Sequence, residues 1–218
     1  MTTTPKRGLF VCIEGIDGAG KTTQVDMLVA ALRMRGIAAV AMRFPDRRTP
    51  TGRALDAYLA ATAKTPEDAM DPHTAHLLFS ANRWEKRAEI ERTLAAGTTI
   101  VVDRYIYSGI AYSVAKGLDL EWCKAADRGL PVPDVVLYLA VPTTVALERI
   151  WATRATRERH DSTEVLDRVA RAFDDALLLD AGPDTWAFKV DATLYADILH
   201  GRILEVVLPK AATRVTPC

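Results

Sequence analysis

The chain has 218 residues, 49% apolar and 26% charged, with only 11 Pro and 12 Gly. A chain of this kind can bury ~70% of its extended surface on folding, which excludes a disordered, collagenous or low-complexity protein. Lys plus Arg and Asp plus Glu both number 28, so the net charge is zero and nothing global favours nucleic acid or an acidic membrane surface.

Three scattered cysteines, Cys12, Cys123 and Cys218, are too few for a disulfide framework or a zinc cluster and point to a reducing interior. Met1–Arg7 is polar, and the apolar run Leu9–Ile13 is too short for a signal-peptide core. No stretch approaches the ~18 apolar residues of a membrane span. These features read as a soluble, cytoplasmic protein.

Along the chain, short apolar runs alternate with longer helical patterns. Gly8–Glu14, Ala38–Arg43, Thr98–Asp103, Val135–Val141 and Thr185–Val190 read as strands. Three of them are almost continuously apolar, as strands buried on both faces of a parallel sheet are. Helices are expected over residues 22–35, 51–61, 72–96, 107–116, 119–128, 142–152, 162–179 and 194–208. Asp71-Pro72 supplies an N-cap followed by Pro, Gly36 and Gly97 suit helix ends, and Gly182-Pro183 closes the long late helix. This alternation means an open α/β sheet with helices on both faces, and ligands bind at the carboxyl ends of its strands.

The first strand runs straight into Gly15-Ile16-Asp17-Gly18-Ala19-Gly20-Lys21-Thr22, a G-x-x-x-x-G-K-[ST] phosphate loop in its strand–loop–helix setting. The glycines let successive N–H groups turn inward on phosphate oxygens at a helix N-terminus. Lys21 brings a positive charge to the outer phosphates, and the Thr22 hydroxyl can ligate Mg²⁺. No Asn-Lys-x-Asp segment is present, which argues against a GTPase. A small kinase with a second, acceptor pocket remains.

Three segments can build that pocket. Asp103-Arg104-Tyr105 puts a carboxylate and a guanidinium at a strand's carboxyl end, suited to metal coordination and a phosphate clamp. Taken alone, the same pair could be a surface ion pair of little worth. Arg43-Phe44-Pro45-Asp46-Arg47 forms another cationic tip, equally consistent with a solvated loop. Phe79 and Arg83, four residues apart, share one helix face and could stack on a base and bond its edge, or be core with a snorkelling arginine.

Taken together, Gly15–Gln24 (GIDGAGKTTQ), Arg43–Asp46 (RFPD), Leu77–Glu85 (LLFSANRWE) and Val102–Ser108 (VDRYIYS) resemble the thymidylate kinase family. Pro133-Asp134 and Val190-Asp191-Ala192 extend the likeness over most of the chain, in the family's order. The resemblance implies a P-loop NTPase fold: a three-layer α/β/α domain spanning 1–218, with a five-stranded parallel sheet and an Arg-rich lid. Its parts would be the phosphate loop 15–22, the acceptor helix region 72–96 and the lid at about 149–162. The implied reaction is transfer of the γ-phosphoryl of ATP to dTMP, giving dTDP for dTTP synthesis, with Mg²⁺ and a homodimeric enzyme. Leu77, Leu78 and the apolar residues of 107–114 exceed what one groove needs and would allow such a dimer.

The resemblance also implies roles. Gly15, Gly18, Gly20, Lys21, Thr22 and Thr23 would serve ATP, with Ala192 and Thr193 at the adenine. Asp17 would hold the acceptor's 3′-hydroxyl, Phe79 would stack on thymine and Arg83 would bond its edge. Arg47 and Arg104 would grip the dTMP phosphate, with Asp103 beside the metal bound at Thr22. Tyr112 would crowd the sugar's 2′ position, while Phe44, Pro45, Ser108 and Gly109 complete the acceptor pocket. Four arginines crowd the run from Arg149 to Arg159; a charge run is usually a solvated face, but here it falls where a lid closes. Gly18 stands where some members carry an arginine in the loop, so Arg154 or Arg157 is expected to reach the transferring phosphoryl, with Arg159 nearby. His160, where some members have Tyr, and Leu166, where they have Gln, depart from the pattern. Two rivals stand beside this reading: a deoxynucleoside kinase, disfavoured by two guanidiniums at an uncharged hydroxyl, and a nucleotide-dependent switch.

Overall fold

The computed structural model describes residues 6–60, 70–153, 162–180 and 185–214. Arg154, Arg157, Arg159 and His160 of the expected lid, the Gly182-Pro183 stop, Ala61 and Cys218 lie outside the described residues. In chain order the elements are β1 (Phe10–Glu14), α1 (Lys21–Met34), β2 (Ala39–Arg43), α2 (Pro50–Ala60), α3 (Pro72–Glu85), α4 (Arg87–Ala95) and β3 (Thr99–Asp103). There follow α5 (Ile106–Val114), α6 (Leu120–Ala126), β4 (Val135–Ala140), α7 (Thr143–Thr153), α8 (Thr163–Asp180), β5 (Trp186–Asp191) and α9 (Ala196–Ala212).

The strands form a five-stranded sheet in the order β2-β3-β1-β4-β5, every neighbouring pair parallel. β1 and β3 are buried throughout and β4 nearly so, because helices cover both faces; β2 and β5, at the edges, are partly exposed. The chain leaves β1 past β3 to reach β2, returns to β3, then crosses β1 to β4. That reversal of direction opens a crevice at the carboxyl ends of the central strands. Register makes those ends level: Ile13 and Arg43 both lie opposite Asp103, and Glu14 lies opposite Tyr138.

Around the sheet, α1 packs on α9, and α5 is flanked by α3, α6 and α8. Tyr107, Ile110 and Ala111 of α5 are therefore buried within the chain itself, not left over for a partner. The caps follow the sequence reading: the Asp71 carboxylate accepts from the His73 and Thr74 amides at 2.9 and 3.2 Å, and Gly36 and Gly97 follow their helices at φ 74° and 79°.

Two boundaries depart from the sequence reading. The helix expected over 72–96 is two helices, broken at Lys86 without a Gly or Pro. The Lys86 amide donates to the Arg83 carbonyl at 3.0 Å, while its ammonium is drawn to Asp46 at 3.0 Å and Glu89 at 2.7 Å. The last helix runs through Pro209 to Ala212. The carbonyl that loses its donor there belongs to Glu205, an exposed residue on a helix side that water can reach.

The loop after β2 is tied down by one carboxylate and one carboxamide. Asn82 of α3 accepts from the Asp46 amide at 2.8 Å and donates to its carbonyl at 3.1 Å. The Asp46 carboxylate takes both the Nε and Nη2 of Arg48 at 2.9 Å, and Lys86 at 3.0 Å. The Arg48 side chain, helped by its amide and by Lys86, holds this carboxyl well below the ordinary aspartate value of 3.8, against the opposing effect of burial. A carboxyl depressed in the folded state contributes stability above its unfolded pKa and loses it as pH falls. Asp46→Asn should thus lower the Tm by a few degrees at pH 7, with the gap to the parent closing below about pH 4, as followed by circular dichroism melting.

Candidate active site

The loop after β1 is shaped by glycines, Gly18 for space and backbone and Gly20 for its left-handed backbone. Gly18 sits at φ 78°, and a Cβ there would lie 2.2 Å from the Ala146 carbonyl oxygen of α7. An arginine at that position has no room. Gly20, at φ 90°, opens α1 with no side-chain cap, so the first amides of the helix face the crevice. Lys21 is 6% exposed and donates to the Ile16 carbonyl at 2.6 Å. Burial and the nearby Arg104 lower its pKa to about 8, against the pull of Asp17, Asp103 and Glu14.

Arg104, immediately after β3, has a left-handed backbone at φ 66°. Such a conformation costs a non-glycine residue energy that its surroundings must supply. Its amide donates to the Ile13 carbonyl at 3.0 Å. Its guanidinium reaches the Gly15 carbonyl at 3.0 Å, Ser108 Oγ at 3.2 Å and Asp17 Oδ1 at 2.6 Å. It also stands 5.4 Å above the Tyr112 ring, and the Tyr112 hydroxyl donates to Asp17 Oδ2 at 3.1 Å.

What fixes this corner is Glu14, which the sequence reading did not single out. The residue is fully buried, and its carboxylate accepts from the amides of Tyr105 (2.8 Å) and Ser108 (3.2 Å) and from Ser108 Oγ (2.5 Å). A carboxylate closing an otherwise apolar strand, GLFVCIE, was the available signal.

Beside it, Thr22 Oγ1 donates to Asp103 Oδ2 at 2.7 Å. Arg43 Nη2 stands 2.6 Å from that hydroxyl and 3.2 Å from that carboxylate oxygen. Two hard oxygens that already draw a cation suit Mg²⁺, which takes one or two protein oxygens and completes its shell with water and phosphate. Among the described residues no cluster of three or more His, Cys, Asp or Glu forms a dedicated metal cage.

On the acceptor side, Phe79 meets Tyr58 edge-on, ring centroids 6.2 Å apart. Arg83 is 2% exposed and paired with Asp127, a residue the sequence reading also missed and for which a separation of 44 positions left no signal. Arg47 pairs with Asp56 at 2.6 Å. After β5, the Ala192 carbonyl accepts from Arg149 at 2.9 Å, which ties the base of the expected lid to this loop, and Thr193 is capped by Asp191. Leu166 is fully buried core.

A single cleft of about 1310 Å³ joins these groups. Asp17, Gly18, Gly20, Lys21, Thr22 and Thr23 line it together with Phe44, Pro45, Arg47, Phe79 and Arg83. Asp103, Arg104, Ser108, Gly109, Tyr112, Ala192 and Thr193 complete the wall. Gly15 is not part of the lining and contributes its carbonyl to Arg104.

A family model described as thymidylate kinase matches residues 13–203. The chain belongs to the thymidylate kinase family. Similar relatives include the thymidylate kinase of Arabidopsis thaliana, 42% identical over 93% of this chain and 72% of that protein. That of Schizosaccharomyces pombe is 39% identical, covering 92% of both, and that of Homo sapiens is 41% identical over 77% of this chain and 76% of that one. The solved thymidylate kinase of Candida albicans superposes with a TM-score of 0.79 at 31% identity, over 95% of this chain and 94% of that one. The fold is therefore that of the P-loop NTPases, and the chain is a kinase that transfers phosphoryl from ATP to dTMP with Mg²⁺.

In this thymidylate kinase, removing the Glu14 carboxylate would leave several buried donors unmatched. Glu14→Ala should cost about 2–4 kcal/mol of unfolding free energy, measured by urea denaturation.

Proposed function

We propose that this cleft phosphorylates dTMP by holding two repelling anions in line, with the chain's cations neutralising them and its rigid walls orienting them. The observation that carries the reading is the continuity of the cleft: phosphate-loop residues and the Phe79–Arg83 pair line one space, which Arg104 and Asp103 also line. On the donor side, the α1 amides, Lys21, Thr22 and Thr23 take the ATP phosphates, and Ala192 and Thr193 lie against adenine. Thr22 and Asp103 hold Mg²⁺, which when bound supplies charge neutralisation on the phosphates.

On the acceptor side, Arg104 and Arg47 take the dTMP phosphate. Each now has a carboxylate partner, Asp17 or Asp56, so an incoming phosphate exchanges one anion for another instead of meeting a bare charge. Asp17 and Tyr112 face the sugar, Phe79 stacks on the base with Phe44 and Pro45 alongside, and Ser108 and Gly109 form the floor. Arg154 or Arg157 brings a cation from the lid, and His160 contacts the nucleoside. Asp103 orients the attacking oxygen; the acceptor phosphate is already ionised near neutral pH and needs no strong base. We read the chain as one kinase domain acting in the cytoplasm, where ATP and dTMP are supplied.

The test is a coupled ADP-release assay with Mg-ATP against dTMP, dUMP, thymidine, AMP and no acceptor. Release should depend on dTMP, with dUMP slower by roughly 10–200-fold in kcat/KM because one methyl separates them. Release driven by thymidine alone, or without any acceptor, would overturn the reading.

A homodimer is part of the proposal. With Tyr107, Ile110 and Ala111 of α5 already buried, an exposed apolar side chain on α3 is Leu77, 50% exposed, four residues after His73, whose ring lies 4.7 Å from that of Trp122. Sedimentation equilibrium should give a dimer for the parent chain and a monomer for Leu77→Glu; a dimer unaffected by that change would place the interface elsewhere.

A further inference from the structure

Arg83 is held in an unusually complete clamp. The side chains of Arg83 and Asp127 are 3% and 4% exposed. Nε and Nη2 of the guanidinium donate to the two Asp127 oxygens at 3.0 and 2.7 Å, a bidentate pair with defined geometry. Asp127 is held in turn: its Oδ1 accepts from Ser80 Oγ at 2.8 Å, and Ser80 sits one turn before Arg83 on α3. The Ser80 hydroxyl shares its single proton with the neighbouring Ala126 carbonyl at 2.9 Å, which also accepts from the Trp84 indole at 3.0 Å, fastening the end of α6 to α3.

From the other side comes Gly109 of α5. A Cβ there would lie 2.7 Å from Nη2, 2.9 Å from Nη1 and 3.0 Å from the central carbon. Three nearly equal distances mean that the guanidinium lies face-on against the Gly109 backbone. Its plane is set by Gly109 and its rotation within the plane by Asp127.

A guanidinium has five N–H groups and no acceptor. Two go to Asp127, so the donors that Arg83 can offer the cleft are the rest, and their direction is fixed. A base edge placed against them must present an oxygen or a lone-pair nitrogen. An amino group in that place would meet donors with donors and leave buried polar groups unmatched, which is a costly way to bind.

We propose that Asp127 and Gly109 are positioning residues for acceptor choice: they lock Arg83 so that the cleft takes a pyrimidine with a carbonyl at position 4 and rejects one with an amino group there. This rests on the reading above that Arg83 faces the acceptor base. Asp127 need not touch the substrate, and Gly109, although it lines the cleft, acts on the choice of base through Arg83.

The test uses the full chain and four variants: Asp127→Asn, Gly109→Ala, Arg83→Met and the double variant Asp127→Asn/Arg83→Met. Asn keeps the shape of Asp127 but turns a donor toward Nη2. Alanine inside α5 is a better helix former than glycine, so the effect of Gly109→Ala comes through the displaced guanidinium and not through a weakened helix. For each variant, kcat and KM for dTMP, KM for ATP and kcat/KM for dCMP are measured, with thermal unfolding to register folding.

Asp127→Asn and Gly109→Ala should each raise the dTMP KM about tenfold or more, leave the ATP KM within twofold, and narrow the preference for dTMP over dCMP by about tenfold. In the Arg83→Met background, Asp127→Asn should add less than twofold, because its effect passes through Arg83. Parent-like KM and preference in Gly109→Ala would overturn the proposal, as would an Asp127→Asn penalty that persists without Arg83 or an ATP KM that moves with the dTMP KM. If Asp127→Asn fails to fold, Gly109→Ala decides alone. A parent chain that does not phosphorylate dTMP would instead contradict the reading of the cleft.

Discussion

A buried carboxylate holds the working end of this molecule together. Glu14 closes β1 and reaches across to β3's corner, where it accepts from two amides and a hydroxyl. A bare carboxylate in that position would be costly; one that accepts several hydrogen bonds is tolerated and directional. Its consequence is the backbone of Arg104. A left-handed arginine survives because its own amide is held by Ile13 and the next residue's amide by Glu14, both on β1. The phosphate loop, the Asp103 carboxylate and the Arg104 guanidinium thereby become parts of one rigid corner.

Charge within the crevice is balanced internally. Arg104 is matched by Asp17, Arg43 by Asp103, Arg47 by Asp56 and Arg83 by Asp127. A protein of zero net charge thus concentrates cations in one cleft at little cost in self-repulsion. Lys21 differs from these four: it donates to a backbone carbonyl, and burial with the nearby Arg104 brings its pKa down to about 8, so an incoming phosphate favours its charged form.

Much of this was legible in the sequence because it depends on local pattern. The apolar runs of β1, β3 and β4 reflect strands covered on both faces, and G-x-x-x-x-G-K-T needs only a strand before it and a helix after it. Level strand ends then bring Lys21, Asp103 and Arg104 to one edge without further information. The rest depended on distant pairing. Lys86, at the break between two helices, finds Asp46 beside it in space, and Pro209 is tolerated because Glu205 faces water. Arg83 lines the cleft beside Phe79, but its orientation is decided by Asp127, just past the end of α6, and by Gly109 of α5. Glu14 could have been noticed, since a carboxylate ending a buried strand must find donors.

The central claim is that the catalytic corner is built before any ligand arrives. Residue-resolved amide hydrogen exchange on the nucleotide-free protein addresses it directly, at the two amides that donate to Glu14, those of Tyr105 and Ser108. Strong protection in the free protein, changed little by ADP and dTMP, is the result expected. Fast exchange that slows only when ligands are added would mean that the substrates assemble the corner, and would contradict the account.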